Sequence, residues 1–294
     1  MPERTPLPSA PADPPSRARS RTRRRTPPSG LALRLVSAAV GLPVVLGAVW
    51  LGGPVLAVLA ALAALAGGSE ALVLLARAGW RPLIVTGALW AAVLAGIGVW
   101  NGTGVLLALG AGILVTAGTA AFVRRSAEAI GDGALTALGA CYAGLPLAAA
   151  VLLRGGPEGL AWVLTGLLIT FATDTGAYAV GRAVGTHKMA PAISPGKTWE
   201  GAAGGLTAAI AAAVGIVALA DGIPNAWAWA VGLGLAVGVG AQAGDLAESW
   251  LKRMARVKDS GALIPGHGGM LDRLDSLIVA LPLVYVISLL WPAA

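Results

Sequence analysis

Val105-Leu-Leu-Ala-Leu-Gly-Ala-Gly-Ile-Leu-Val-Thr-Ala-Gly-Thr-Ala-Ala-Phe-Val123 carries no charged side chain, and its only polar groups are two threonine hydroxyls. Rising about 1.5 Å per residue as a helix, it is long enough to cross a hydrocarbon core roughly 30 Å thick. Eight more apolar runs of this kind are separated by polar or Gly/Pro breaks. Helices are expected at Leu31 to Leu51, Pro54 to Ala76, Leu83 to Trp100, Val105 to Val123, Leu135 to Leu153, Leu160 to Val180, Gly201 to Leu219, Ala226 to Trp250 and Leu274 to Trp291. With 56% hydrophobic and 12% charged residues, and a mean hydropathy of +0.77, a chain of 294 residues holds more apolar surface than one soluble core can hide. Alternating-strand barrel segments are absent. The reading is an all-α polytopic membrane protein of about nine transmembrane helices.

The formal charge of +7 would suggest nucleic acid until it is located along the chain. Residues 1–30 hold seven arginines against Glu3 and Asp13, which leaves the remainder nearly neutral. This Pro, Ser and Arg-rich stretch has too little apolar content to offset its ordering entropy, so it reads as a disordered basic cytoplasmic tail. Its expected role is a topology anchor that also favours anionic headgroups. Nucleic-acid binding is disfavoured because no aromatic residues interleave with the arginines. No small-residue cleavage site follows a short apolar core, so a cleaved signal peptide is not expected. Cys141 is the only cysteine, which excludes an internal disulfide and a Cys-based zinc site. The remaining chain divides into N-terminal transmembrane helices over 31–153 and a C-terminal catalytic transmembrane region over 154–294.

With the tail cytoplasmic, Arg77, Arg81, Arg124, Arg125, Arg182, Lys188, Lys197, Lys252, Arg253, Arg256 and Lys258 all fall on the cytoplasmic side. The opposite loops carry only Arg154 as a cation. The N-terminus is therefore expected inside and the C-terminus outside. Trp50, Trp100, Trp162, Trp227 and Trp229 then sit near the outer ends of their runs, as an aromatic belt would.

Carboxylates in membrane spans are costly and suggest function; here they are Glu70, Asp174, Asp245 and Glu248. For Glu70 a helix-bridging role is at least as good a reading. Asp245 and Glu248 are three apart, so they share one helix face, as cation coordination needs. Ser194-Pro-Gly-Lys197-Thr198 directly precedes a helix and offers backbone N–H groups, a helix dipole and a lysine to an anion. It is not a phosphate-binding P-loop, because Pro191 stands where that motif needs Gly.

The densest segment runs Ser249-Trp-Leu-Lys252-Arg253-Met-Ala-Arg-Val-Lys258-Asp259-Ser-Gly-Ala-Leu-Ile-Pro265-Gly-His267-Gly268-Gly269-Met-Leu-Asp272-Arg273-Leu-Asp275. Its Pro and Gly residues let backbone approach a ligand closely, and its cations flank carboxylates as a metal-bound polyphosphate requires. At Ser249 to Asp275 the chain resembles the phosphatidate cytidylyltransferase, or CDP-diacylglycerol synthase, family, whose C-terminal signature it matches without a gap. The resemblance extends to Asp174-Thr-Gly-Ala-Tyr178 through Gly181-Arg182 and to Ser194-Pro-Gly-Lys197-Thr198-Trp199-Glu200-Gly201, and so covers most of the second half. Gly196 stands where the family often has Lys; the first half matches only in span count and general character.

The resemblance implies metal-dependent transfer from CTP to phosphatidic acid, giving CDP-diacylglycerol and pyrophosphate, with Mg²⁺ as cofactor and room for a second cation such as K⁺. Asp245 and Asp272 are expected as metal ligands, with Asp174, Glu248 and Asp275 as further ligands or orienting groups. Lys197, Arg182, Lys252, Arg253, Lys258 and Arg273 are expected to hold phosphates, with Ser194 and Thr198 donating to them. His267 is expected to donate to a phosphate oxygen or to make a structural hydrogen bond. The expected partners are CTP, phosphatidic acid and membrane lipid, with a homodimer as one admissible assembly. The expected setting is a bacterial-type inner membrane with the site on its cytoplasmic face. Two other classes fit less well. A CTP-dependent polyprenol kinase needs a general base for its alcohol substrate. An ion-coupled transporter should gather its polar residues at the midplane, whereas here they cluster at one face.

Overall fold

The computed structural model describes residues 30–125, 128–219 and 227–291, so the basic tail lies outside the described residues. The first half of the bundle comprises α1 (Gly30–Leu51), α2 (Gly53–Arg77), α3 (Ile84–Ile97), α4 (Gly102–Arg124) and α5 (Ala129–Gly155). The second half comprises α6 (Gly159–Val184), the strands β1 (Lys188–Ala190) and β2 (Ser194–Thr198), α7 (Trp199–Leu219), α8 (Trp227–Met254), α9 (Leu271–Leu274) and α10 (Leu277–Leu290). Seven helices are long and apolar enough to cross a membrane, whereas α3 and α10 are apolar but only 14 residues each. Each expected span has a helix at its place, and the protein is an all-α polytopic membrane protein.

These segments are helical because a backbone in lipid must satisfy its own N–H and C=O groups, and an uncharged Ala/Leu/Val run does so only by coiling. Small residues then set the packing distance. A Cβ at Gly205 of α7 would stand 2.8 Å from the Thr173 carbonyl oxygen of α6, so this glycine lets the two backbones touch. Leu72, Leu94, Ile169, Leu233, Val237 and Val284 are buried inside the bundle. Val85, Leu106, Leu107, Leu114 and Phe122 point outward, as side chains facing acyl chains do.

One end of the bundle is apolar and aromatic. There Trp291 packs edge-on to Trp162, with ring centroids 5.1 Å apart, and Arg154 donates to the carbonyls of Val49 at 2.7 Å and Trp50 at 2.8 Å. Those carbonyls end α1 and have no partner within their own helix, so Arg154, the lone cation expected on that side, serves as a cap.

The opposite end carries the departures from the expected pattern. Helix α5 starts at Ala129, ahead of the expected Leu135, because buried Asp132 enters the helix by pairing with Arg124 at 3.0 Å. Residues 188–198 form an antiparallel hairpin in which Lys188 pairs with Thr198 and Ala190 with Ser194. The last expected span is broken in two at Asp275 and Ser276, where the Asp275 side chain accepts from the Ser276 N–H at 2.7 Å.

Candidate active site

Helix α8 supplies the base of the site. Asp245, Glu248, Ser249 and Lys252 follow the i, i+3, i+4, i+7 rhythm and so lie along one face of its last turns. The break between α9 and α10 sits directly on this face. Gly244 makes that possible, since a Cβ there would collide with the Asp275 carbonyl oxygen. As a result one carboxylate oxygen from each of Asp245, Glu248 and Asp275 lies within 4.8 Å of the others.

Two lysines face this group. Lys197, from the end of β2, reaches Asp245 at 2.8 Å. Lys252 pairs with Glu248 and also with Asp272, the latter at 2.8 Å. Glu248 is completely buried, and the Lys252 ammonium is the cation paired with it among the described residues. Burying an anion this way is costly unless further positive charge is present. Burial, then the charge of Asp245, pushes the Asp275 carboxyl up to about 6. Asp174, on α6, borders the group and accepts from the Ser276 hydroxyl at 3.4 Å.

A fully buried carboxylate, two more carboxylates beside it and no sulfur or imidazole among them make an all-oxygen donor set. That set fits a hard divalent cation such as Mg²⁺, and Asp245, Glu248 and Asp275 are the residues that would hold it.

Asp272 joins this trio through Lys252, which it shares with Glu248. Its oxygens accept from Lys252, from the Ser260 N–H at 3.0 Å and from the Gly269 N–H at 2.8 Å, with the Ser260 hydroxyl also at 3.0 Å. Burial alone would raise this carboxyl, but the hydrogen bonds from Lys252 and Gly269 outweigh it and hold the group down at about 2. The loop it grips is gripped from the other side by Glu70 of α2. Glu70 accepts from the Met270 N–H at 3.1 Å and the Leu271 N–H at 2.8 Å, and the Ser260 hydroxyl stands 2.8 Å from it. Glu70 thus belongs to the site's framework, a role sequence reading weighed evenly against others.

The remaining expected residues are spread around this centre. His267 hydrogen-bonds through Nδ1 to the Ser37 hydroxyl of α1 at 2.6 Å, and Arg34 donates to the Gly266 carbonyl at 3.0 Å. Arg253 donates to the carbonyls of Ile193 at 3.0 Å and Val257 at 3.2 Å, tying the hairpin to α8. Arg182 donates to the Tyr178 hydroxyl at 2.9 Å. Thr198 is buried and accepts the Gly201 N–H at 3.1 Å, so it caps α7 and uses one of the amides that an anion there would need. Ser194 lies in β2. Lys258 and Arg273 are exposed, with no ion-pair partner among the described residues. Sequence reading passed over one polar knot at the foot of the hairpin, where Glu200 accepts from Thr186 at 2.8 Å and pairs with His187 Nδ1 at 2.6 Å. The separation of thirteen positions between that His and Glu hid the pair.

A many-helix bundle with a carboxylate and lysine cluster at one end defines a polytopic membrane enzyme. The chain belongs to the cytidylyltransferase family, whose model matches residues 32–291, and it is accordingly a nucleotidyltransferase. It is 41% identical over 189 residues to a phosphatidate cytidylyltransferase of Brucella suis biovar 1 (strain 1330), covering 63% of this chain and 69% of that protein. A phosphatidate cytidylyltransferase of Staphylococcus aureus (strain COL) is 43% identical over 130 residues, covering 44% of this chain and 50% of that protein.

Proposed function

We propose that this enzyme transfers the cytidylyl group of CTP to phosphatidic acid, forming CDP-diacylglycerol and pyrophosphate, at the cytoplasmic face of a bacterial inner membrane. The observation that carries the reading is the meeting of Asp245, Glu248 and Asp275 with Lys197 and Lys252, since a triphosphate and a lipid phosphate must be neutralised together before they can react. The family membership and the names of the relatives support the same substrates.

A phosphate monoester has a second pKa near 6, so phosphatidate is already a strong anionic nucleophile at neutral pH and needs no general base. One of its oxygens attacks the α-phosphorus of CTP. A new P–O bond forms, the bond to the β-phosphate's bridging oxygen breaks, and pyrophosphate leaves with that electron pair. A Mg²⁺ held by Asp245, Glu248 and Asp275 supplies charge neutralisation and alignment of the phosphate oxygens. Lys197 and Lys252 line the same centre and stabilise the charge that shifts onto pyrophosphate. Arg182, Arg253, Lys258 and Arg273 surround it with further cations, and Ser194 offers a hydroxyl donor. Asp272 and Glu70 hold the 260–271 loop, and with it Lys252, in place. The lipid enters sideways from the inner leaflet, because its acyl chains leave the bilayer only at a high cost in apolar exposure.

The test is to incubate purified protein with CTP, Mg²⁺ and phosphatidic acid and to identify the lipid product by mass. CDP-diacylglycerol that depends on all three additions supports the reading. Its absence in protein that is folded and metal-loaded rejects it.

A further inference from the structure

The N-terminal half contributes one more polar group to this centre. Tyr142 lies in the middle of α5, and its ring packs against the apolar cluster of Ala71, Leu74, Leu271 and Ile278, which ties α2 to the α9 and α10 region. Its hydroxyl is buried and has no hydrogen-bond partner. Among the described residues, Arg124 and Glu248 also have buried side-chain atoms outside any hydrogen bond, but each is in an ion pair, with Asp132 and Lys252 respectively, which sets the Tyr142 hydroxyl apart. The carboxylates within electrostatic reach of the Tyr142 hydroxyl are Glu248, Asp275 and Asp245, the same three that form the acidic group.

A buried hydroxyl is normally satisfied, and in an apolar bundle no bulk water is at hand to do so. The ring packs beside Leu271 and Ile278, within a turn of Asp272 and Asp275, and the hydroxyl bonds directly to none of the carboxylates. An intervening oxygen atom would close that gap, and a hydrated divalent cation brings such atoms, because Mg²⁺ gives up its waters reluctantly. We propose that Tyr142 is a positioning residue of the metal site, its hydroxyl donating a hydrogen bond to a water bound to the cation that Asp245, Glu248 and Asp275 hold. The inference rests on the metal reading above and extends it to a residue of the N-terminal half. In that role Tyr142 orients the water shell and fixes which faces of the cation remain free for phosphate oxygens. Partners of this kind typically change metal affinity by roughly 10–100-fold when removed.

The experiment uses the full chain, purified and stripped with EDTA. Mg²⁺ binding is followed by calorimetry, and Mn²⁺ is followed by electron paramagnetic resonance as a second probe. The wild type should bind, and Tyr142→Phe should bind at least about 10-fold more weakly, while its melting temperature in EDTA is equal or higher because an unpaired buried hydroxyl has been removed. Equal affinity in wild type and Tyr142→Phe overturns the role of Tyr142 and leaves the metal site standing. A wild type that binds neither ion overturns both. A second measurement does not depend on that variant: the chain has three tyrosines, so Tyr178→Phe with Tyr285→Phe leaves Tyr142 alone. Adding Mg²⁺ to this protein should shift the tyrosine ring band in the infrared difference spectrum, and an unmoved band contradicts the proposal.

Discussion

Glu70 Oε2 accepts a hydrogen bond from the Leu271 N–H at 2.8 Å across 201 positions of sequence, joining the second helix of the bundle to the turn that leads into Asp272 and Asp275. The neighbouring Met270 N–H goes to the other oxygen of the same carboxylate. A carboxylate satisfies both amides at once because both of its oxygens accept, whereas an amide side chain has a single acceptor oxygen.

Glu70→Gln should therefore leave one loop amide facing an NH₂ group. The expected cost is about 1–3 kcal/mol of stability, seen as a lower melting temperature, together with a moderate fall in turnover. An unchanged melting temperature and unchanged rate would show that the loop holds its shape without Glu70.

Changing a ligand should be more severe than changing this clamp. Asp245→Asn and Asp275→Asn each remove a charge from the acidic trio and are expected to lower turnover by roughly 100-fold or more while the protein still folds, since a metal contributes several kcal/mol and each 1.36 kcal/mol is tenfold in rate. Rates measured against Mg²⁺ concentration are the check. A variant with near-wild-type rates at limiting Mg²⁺ is not missing a ligand.

The raised pKa of Asp275 gives metal binding a definite pH dependence. Burial and the neighbouring Asp245 place it at about 6, so below that value a cation must displace a proton to bind. Affinity for Mg²⁺ should rise as pH increases through about 6 and then level off. In the metal-free protein the sign reverses: the folded state holds this proton more tightly than the unfolded chain, so stability conferred by protonated Asp275 is lost as pH rises from the ordinary 3.8 to about 6. Calorimetric titrations and EDTA melting curves across that range read both arms.

Topology makes a further prediction. In a Cys141→Ala background, a cysteine at Lys258 should be shielded from an impermeant thiol reagent in intact cells, and a cysteine at Asn101 should be labelled. The reverse pattern would put the acidic centre on the side without CTP.

The spans were legible because lipid imposes one local rule, apolar residues over a fixed length, and α2, α4, α6 and α7 obey it closely. The rule fails where a polar side chain is satisfied by a distant partner. Asp132 lies ahead of the expected start at Leu135, yet its partner Arg124 carries it into α5, and Lys252 extends α8 past Trp250 by pairing back to Glu248. The pairing of Asp245 with Glu248 could be read from a spacing of three. Asp275 enters the sequence reading only as a further ligand implied by the family resemblance, and its meeting with that pair, like the turn of Asp272 toward Ser260 and Gly269, follows from a helix break whose position depends on packing against Gly244. The hairpin over 188–198 was hidden for a related reason: its short strands have no alternating apolar face, and their register is held by Arg253 and by the His187 and Glu200 pair.

The central claim is attack at the α-phosphorus of CTP by a lipid phosphate, and the fate of the α-phosphate tests it most directly. Purified protein given α-labelled CTP, Mg²⁺ and phosphatidic acid should place the label in a lipid and release unlabelled pyrophosphate in equal amount. Label that remains in soluble CDP, with the γ-phosphate passed to an alcohol acceptor, would contradict the account.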